Sequence, residues 1–113
     1  NYSKEELDKL FEYEDGCSIY PERDAFLGIT IAMVVEKSTG DYCIVVLLSD
    51  ELVKKIKTDL PECIDVVAHE AFHVAFRVFE YCSISATEDT NECFAFFTGW
   101  ATKCIYSTLT KQK

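Results

Sequence analysis

The stretch Asp59-Leu60-Pro61-Glu62-Cys63-Ile64-Asp65-Val66-Val67-Ala68-His69-Glu70-Ala71-Phe72-His73-Val74-Ala75-Phe76-Arg77-Val78-Phe79-Glu80-Tyr81 decides how the rest of the chain is read. Asp59 followed by Pro61 is a helix-start signal, because the carboxylate can accept from a first-turn N–H and proline loses no partner there. No glycine or further proline interrupts the run, so one long helix to about Tyr81 is predicted. Projected at about 100° per residue, Glu62, Asp65, His69, Glu70, His73, Arg77 and Glu80 fall within an arc of about 140°. The remaining circumference, with Ile64, Val67, Ala68, Ala71, Phe72, Ala75, Val78 and Phe79, is apolar. A helix so widely apolar is expected to be buried on several sides, with its polar stripe facing a cleft.

Within that stripe His69-Glu70-Ala71-Phe72-His73 has the form H-E-x-x-H. A spacing of four puts both imidazoles on one helix face, within reach of a single metal ion, and leaves Glu70 beside the metal without binding it. This arrangement suits hydrolysis: zinc lowers the pKa of a bound water to near 7, and an adjacent carboxylate takes the proton and hands it to the leaving amine. A catalytic zinc normally takes three protein ligands. His69 and His73 are the only histidines, so the third ligand is a carboxylate or a thiolate. Glu92 is the first candidate, projecting with Glu88, Ala95 and Gly99 on a side whose small residues are expected to let the two helices approach closely. Glu88, one turn earlier, and Cys93 are the alternatives.

Working outward, Ser3 to about Tyr13 reads as a short amphipathic helix with Ser3 and Glu6 as a capping box, ended by Asp15-Gly16. Ala25–Val35 and Tyr42–Leu48 are β-branched runs joined by Lys37-Ser38-Thr39-Gly40-Asp41, which predicts a β-hairpin. The second run, Ile44-Val45-Val46-Leu47-Leu48, reads as buried on both faces. Ser49 or Asp50 caps a helix from Glu51 to about Lys57, and Ser85-Ala86-Thr87-Glu88 offers a capping box for a last helix to about Thr108. On that helix Phe94, Phe97, Trp100 and Cys104 read as core. The fold class predicted is α+β, a small antiparallel sheet packed on a buried site helix with a second long C-terminal helix.

At 113 residues without repeats or Gly/Ser-rich linkers, the chain is read as a single domain, 1–113. Opening on Asn1 rather than Met, it is expected to have lost a leader, a tag or a first element. Twenty acidic residues against eleven basic ones give a formal charge of −9. That excess disfavours nucleic acid and anionic membrane surfaces as partners and reads as solvated surface, one that also steers a basic peptide. No apolar run reaches the ~20 residues of a membrane span. Six cysteines without a C-x-x-C pair lie mostly in or beside apolar runs. They read as buried free thiols of a cytoplasmic protein, with disulfides of a secreted one as the alternative.

His69-Glu70-x-x-His73 followed by Asn91-Glu92 resembles the gluzincin class of zinc metallopeptidases, the thermolysin-like type, over about residues 61–108. The resemblance implies a zincin-like fold whose sheet lies over the site helix, Zn2+ held by His69, His73 and Glu92, Glu70 as general base, and a peptide or protein substrate. The small size and the run Thr-Asn-Glu-Cys-Phe-Ala-Phe-Phe also resemble compact metallopeptidase-like proteins of phages and prophages. Two departures stand out. Cys93-Phe94-Ala95-Phe96 follows Asn91-Glu92 where that class often carries a small or acidic continuation, which leaves Asp65 to support a ligand histidine. The downstream histidine that polarises the oxyanion in thermolysin-like enzymes is missing, which leaves Arg77, Tyr81 or Tyr106 for that role. Two other classes of reading stand beside the peptidase. One is an inactive metallopeptidase-like protein that binds a host or partner protein; the other is a structural helix without metal.

Overall fold

A computed structural model of the chain describes residues 3–21 and 26–111. Seven elements follow one another: α1 (Lys4–Leu10), β1 (Phe11–Tyr13), β2 (Gly28–Glu36), β3 (Tyr42–Leu48), α2 (Asp50–Thr58), α3 (Leu60–Tyr81) and α4 (Asn91–Thr110). The fold is α+β, with a three-stranded antiparallel sheet in the order β1-β2-β3. No helix among the described residues is long and apolar enough to cross a membrane.

The first helix is shorter than its apolar spacing suggests. Ser3 caps it, its hydroxyl accepting from the Glu6 N–H at 3.2 Å. The backbone then turns extended at Phe11 (φ −138°, ψ 153°), and Phe11–Tyr13 pairs with Val34–Glu36 as a strand. Leu7, Leu10 and Phe11 have helical spacing, yet the aromatic side chains of Phe11 and Tyr13 gain more by packing with Ile19, Ile31 and Val34 on the sheet. The structure therefore contains a third strand beyond the expected hairpin. The hairpin itself spans Gly28–Glu36 and Tyr42–Leu48; Ala25, expected at its start, lies outside the described residues.

The sheet separates two apolar clusters. On one face Ile29, Cys43, Val45 and Leu47 pack with Ile19, Ile31 and Val34. On the other, Ile44, Val46 and Leu48 meet the helices through Leu52, Cys63, Val67, Ala71, Val74, Ala101, Ile105 and Leu109. The burial expected for β3 on both faces is not reached: it has apolar neighbours on both, but as the sheet's edge strand it leaves Cys43–Leu48 half-buried and Tyr42 exposed.

The site helix starts where Asp59 caps it, its carboxylate accepting from the Glu62 N–H at 3.3 Å. It buries Cys63, Val67, Glu70, Ala71, Val74, Ala75 and Phe79 against sheet and α4. The expected burial on several sides is not found: Ile64, Phe72 and Phe76 are 54%, 50% and 46% exposed. The sheet, α2 and α4 together cover only part of α3, so its apolar circumference exceeds the surface available to bury it.

Three further expectations are corrected. α4 begins at Asn91 rather than at a Ser85–Glu88 capping box, because the Thr90 hydroxyl is spent within the preceding turn, donating to Ser85 O and accepting from the Thr87 N–H. On α4 the inward positions are Ala101, Ile105 and Leu109; Trp100 and Cys104 are exposed, while Phe94 and Phe97 are half-buried. Of the six free cysteines only Cys63 is buried; Cys43 is half-buried and Cys17, Cys82, Cys93 and Cys104 are exposed. Burial pushes the Cys63 thiol's pKa above its ordinary value, so that cysteine packs as a neutral apolar filler.

Candidate metal centre

α3 presents its two imidazoles to the outside and its carboxylate to the inside. The His69 side chain is 66% exposed, whereas that of Glu70 is 6% exposed. The His69 and His73 Nε2 atoms stand 3.1 Å apart, and their rings meet edge to face with centroids 4.7 Å apart. The spacing of four residues produces this, stacking the two side chains along one line of the helix.

Glu70 occupies the part of the helix that faces β2. Thr30 donates its hydroxyl to Glu70 Oε1 at 2.7 Å, while the other carboxylate oxygen, Oε2, lies 3.8 Å from His69 Nε2. A buried carboxylate without a donor is costly, and among the described residues no buried side-chain nitrogen or oxygen lacks a partner. Gly28 makes the fit possible: a Cβ there meets Glu70 Cγ and Val66 Cγ1, each at 3.1 Å.

His69, Glu70 and His73 form the one group of possible metal ligands among the described residues, their donor atoms all within 4.8 Å of one another. Glu92 is not part of it. It sits exposed in the first turn of α4, and Glu88 and Cys93 are exposed as well. The close approach expected through Ala95 and Gly99 is not the contact α4 makes. A Cβ at Gly99 meets nothing within 4 Å, and Ala95 is exposed. The first turns of α4 reach α3 instead through Phe94, whose ring lies 5.5 Å from Phe72 and 5.0 Å from Phe79. Phe72 in turn touches the His73 ring edge, centroids 6.3 Å apart.

None of the remaining candidates is brought to the imidazoles. Asp65 is exposed, with no hydrogen bond or ion pair to His69. Arg77 pairs with Glu80 at 2.9 Å. Tyr81 accepts from the Met33 N–H at 2.5 Å, holding α3 to the β2 bulge where Met33 takes a left-handed φ of 59°. Tyr106 is on the exposed side of α4.

No family model, no curated protein and no solved structure matches this chain.

Whether zinc fits can be judged from the donors. Two nitrogens on one tetrahedral zinc, each at about 2.0–2.1 Å, are about 3.3–3.4 Å apart. The observed 3.1 Å departs from that by a few tenths of an ångström, so small side-chain adjustments suffice. Glu70 Oε2, at 3.8 Å from His69 Nε2, lies farther off than a second ligand of the same ion sits. The pair has the chemistry and spacing of zinc ligands, and Glu70 the placement of their neighbour. Thr30 and Gly28 carry no site motif in the sequence. The signal for Thr30 was available: it is the hydroxyl on the face of β2 that alternates with Ile29 and Ile31, in a run otherwise apolar.

Proposed function

We propose that this chain is a small zinc-dependent metallopeptidase that hydrolyses peptide or amide bonds. His69 and His73 bind the metal, Glu92 is the third ligand, and Glu70 is the general base. The observation that carries the reading is the buried Glu70, one oxygen engaged by Thr30 and the other 3.8 Å from His69 Nε2, which itself lies 3.1 Å from His73 Nε2, within a few tenths of an ångström of zinc-ligand spacing. Glu92 is supported by its spacing in sequence and by Phe94, which brings the start of α4 against the neighbour of His73.

A zinc ion held there supplies Lewis acidity that brings a water's pKa near neutrality. Glu70 Oε2 accepts a proton from the attacking water and returns it to the amine nitrogen as the carbon–nitrogen bond breaks. The Thr30 hydrogen bond leaves Oε2 as the oxygen available for that traffic, and burial keeps the side chain in one orientation. The test is Glu70→Gln in the zinc-loaded protein, assayed on a mixed peptide library. Cleavage is expected to fall by about a hundredfold or more with zinc retained, and an unchanged cleavage rate overturns the role.

A second reading is a metallopeptidase-like protein that binds a partner and cleaves nothing. It is favoured by the exposed aromatic surface beside the site, with Phe72, Phe76, Phe96 and Trp100 all at least 46% exposed. It is favoured also by the engagement of Arg77 and Tyr81 elsewhere. A zinc-loaded wild-type protein that cleaves no member of the library selects this reading.

A further inference from the structure

We propose that Thr30 is a positioning residue whose hydroxyl keeps Glu70 from becoming a metal ligand. The inference rests on the reading that His69 and His73 bind zinc. A two-histidine site with its third ligand on another helix invites the nearest carboxylate to complete it. Glu70 is that carboxylate, one residue along from His69, with Oε2 3.8 Å from the His69 nitrogen. Carboxylate oxygens on zinc sit at about 2.0–2.2 Å, so a modest rotation of the side chain brings Glu70 into the coordination shell. A carboxylate bound there gives its lone pair to the metal and serves poorly as a base.

What opposes that rotation comes from β2. The Thr30 hydroxyl is 2.7 Å from Glu70 Oε1 and 3.4 Å from the Glu70 backbone oxygen. It carries a single proton, and the shorter contact takes it. The donor itself is fixed, because β2 is the central strand, paired with β1 on one side and β3 on the other. The β2 backbone at Gly28 lies close against the Glu70 side chain from the same direction, a Cβ there coming within 3.1 Å of Glu70 Cγ. The carboxylate is therefore split, with Oε1 anchored to the sheet and Oε2 presented toward the imidazoles.

The test compares wild type, Thr30→Val and Thr30→Ser by zinc titration against a chelator. The same three proteins are examined by zinc-edge X-ray absorption and by the visible spectrum of the cobalt-substituted form. Thr30→Val, close in shape but without a donor, is expected to gain one oxygen ligand, to show an altered cobalt spectrum and to bind zinc tighter on the order of tenfold, the scale on which neighbours of ligands move such sites. Thr30→Ser retains the hydroxyl and is expected to match wild type. In Thr30→Val combined with Glu70→Ala the added oxygen disappears. Should Thr30→Val not fold, Thr30→Ala carries the same expectation. A donor-less variant with wild-type coordination and affinity overturns the inference, as does an added oxygen that persists without Glu70. A wild-type protein that binds no more zinc than His73→Ala overturns the zinc reading itself, and is told apart by that control.

Discussion

Glu70 and Glu92 are the two carboxylates that the proposed site requires, and the fold treats them in opposite ways. Glu70 is 5% exposed, hydrogen-bonded to the sheet and close against Gly28. Glu92 is exposed, at the start of a helix whose cap residue makes no side-chain cap bond. The contrast extends to the helices that carry them. α3 is pinned at its N-terminus by Asp59, along its length by the sheet, and at its end by Tyr81 on the β2 bulge. α4 is anchored by its later residues, Ala101, Ile105 and Leu109, while its first turns meet α3 through the Phe94 ring against Phe72 and Phe79. On the proposed reading, one carboxylate is held by the fold before any metal binds, and the other must be brought to it. Interactions already in place cost no ordering entropy at the moment of binding, whereas those formed late must offset it.

Exchanging each carboxylate for its amide breaks the comparison most directly. Glu70→Gln is expected to lower turnover by about 10²–10⁴-fold, the usual contribution of a positioned base, with zinc affinity unchanged. Glu92→Gln is expected to do the reverse in kind, weakening zinc by about 10–100-fold, less than removal of a pre-placed histidine, because α4's ordering offsets part of what the ligand contributes. Competition with a chelator gives both affinities. If Glu92→Gln binds zinc as wild type does and Glu88→Gln or Cys93→Ser does not, the third ligand moves to that residue and the contrast must be redrawn around it.

The organised half was also the legible half. The H-E-x-x-H spacing lies within one element, so helix geometry alone placed both imidazoles on one face and turned Glu70 aside. The start of α3 follows from Asp59 and Pro61, and the span of β3 from its β-branched run, because each signal is local. β1 was not legible, since Leu7, Leu10 and Phe11 satisfy a helical period and only pairing with Val34–Glu36 decides for a strand. Nor was exposure. The apolar residues of α3 and α4 outnumber the buried positions that a three-stranded sheet and two long helices create, and sequence pattern does not say which of them remain uncovered. Thr30 shows the same limit: its role depends on register between β2 and α3, forty residues apart in the chain.

Gly28 offers a smaller test of the organised half. Its backbone needs no left-handed conformation, so the question is one of space alone. Alanine brings a methyl group to 3.1 Å from both Glu70 Cγ and Val66 Cγ1, closer than side chains normally pack. Gly28→Ala is expected to cost about 1–3 kcal/mol by overpacking, measured by denaturant unfolding. It should lower turnover together with stability, since the displaced atom belongs to the base. A variant as stable as wild type shows that Glu70 or Val66 has room to yield, and that the pocket is looser than its contacts imply.

The smallest effect separates the two helix starts. Asp59 caps α3 through its carboxylate, and Asp59→Ala is expected to cost about 0.5–2 kcal/mol of stability. Thr90 precedes α4 without capping it, its hydroxyl instead closing the Ser85–Thr90 turn through bonds of 2.7 Å to Ser85 O and 2.8 Å from the Thr87 N–H. Removing those bonds in Thr90→Ala loosens the turn that sets where α4 begins, at a net cost of about 1 kcal/mol, since an exposed turn replaces lost bonds with water. The two variants part company when zinc is added. Zinc stabilises by favouring the folded state in proportion to its affinity, so Asp59→Ala, remote from the ligands, keeps the full increase in melting temperature. Thr90→Ala, which frees the segment carrying Glu92, shows a reduced one. Equal zinc-induced increases in both variants mean that the start of α4 contributes no ligand, and the site is then the property of α3 and β2 alone.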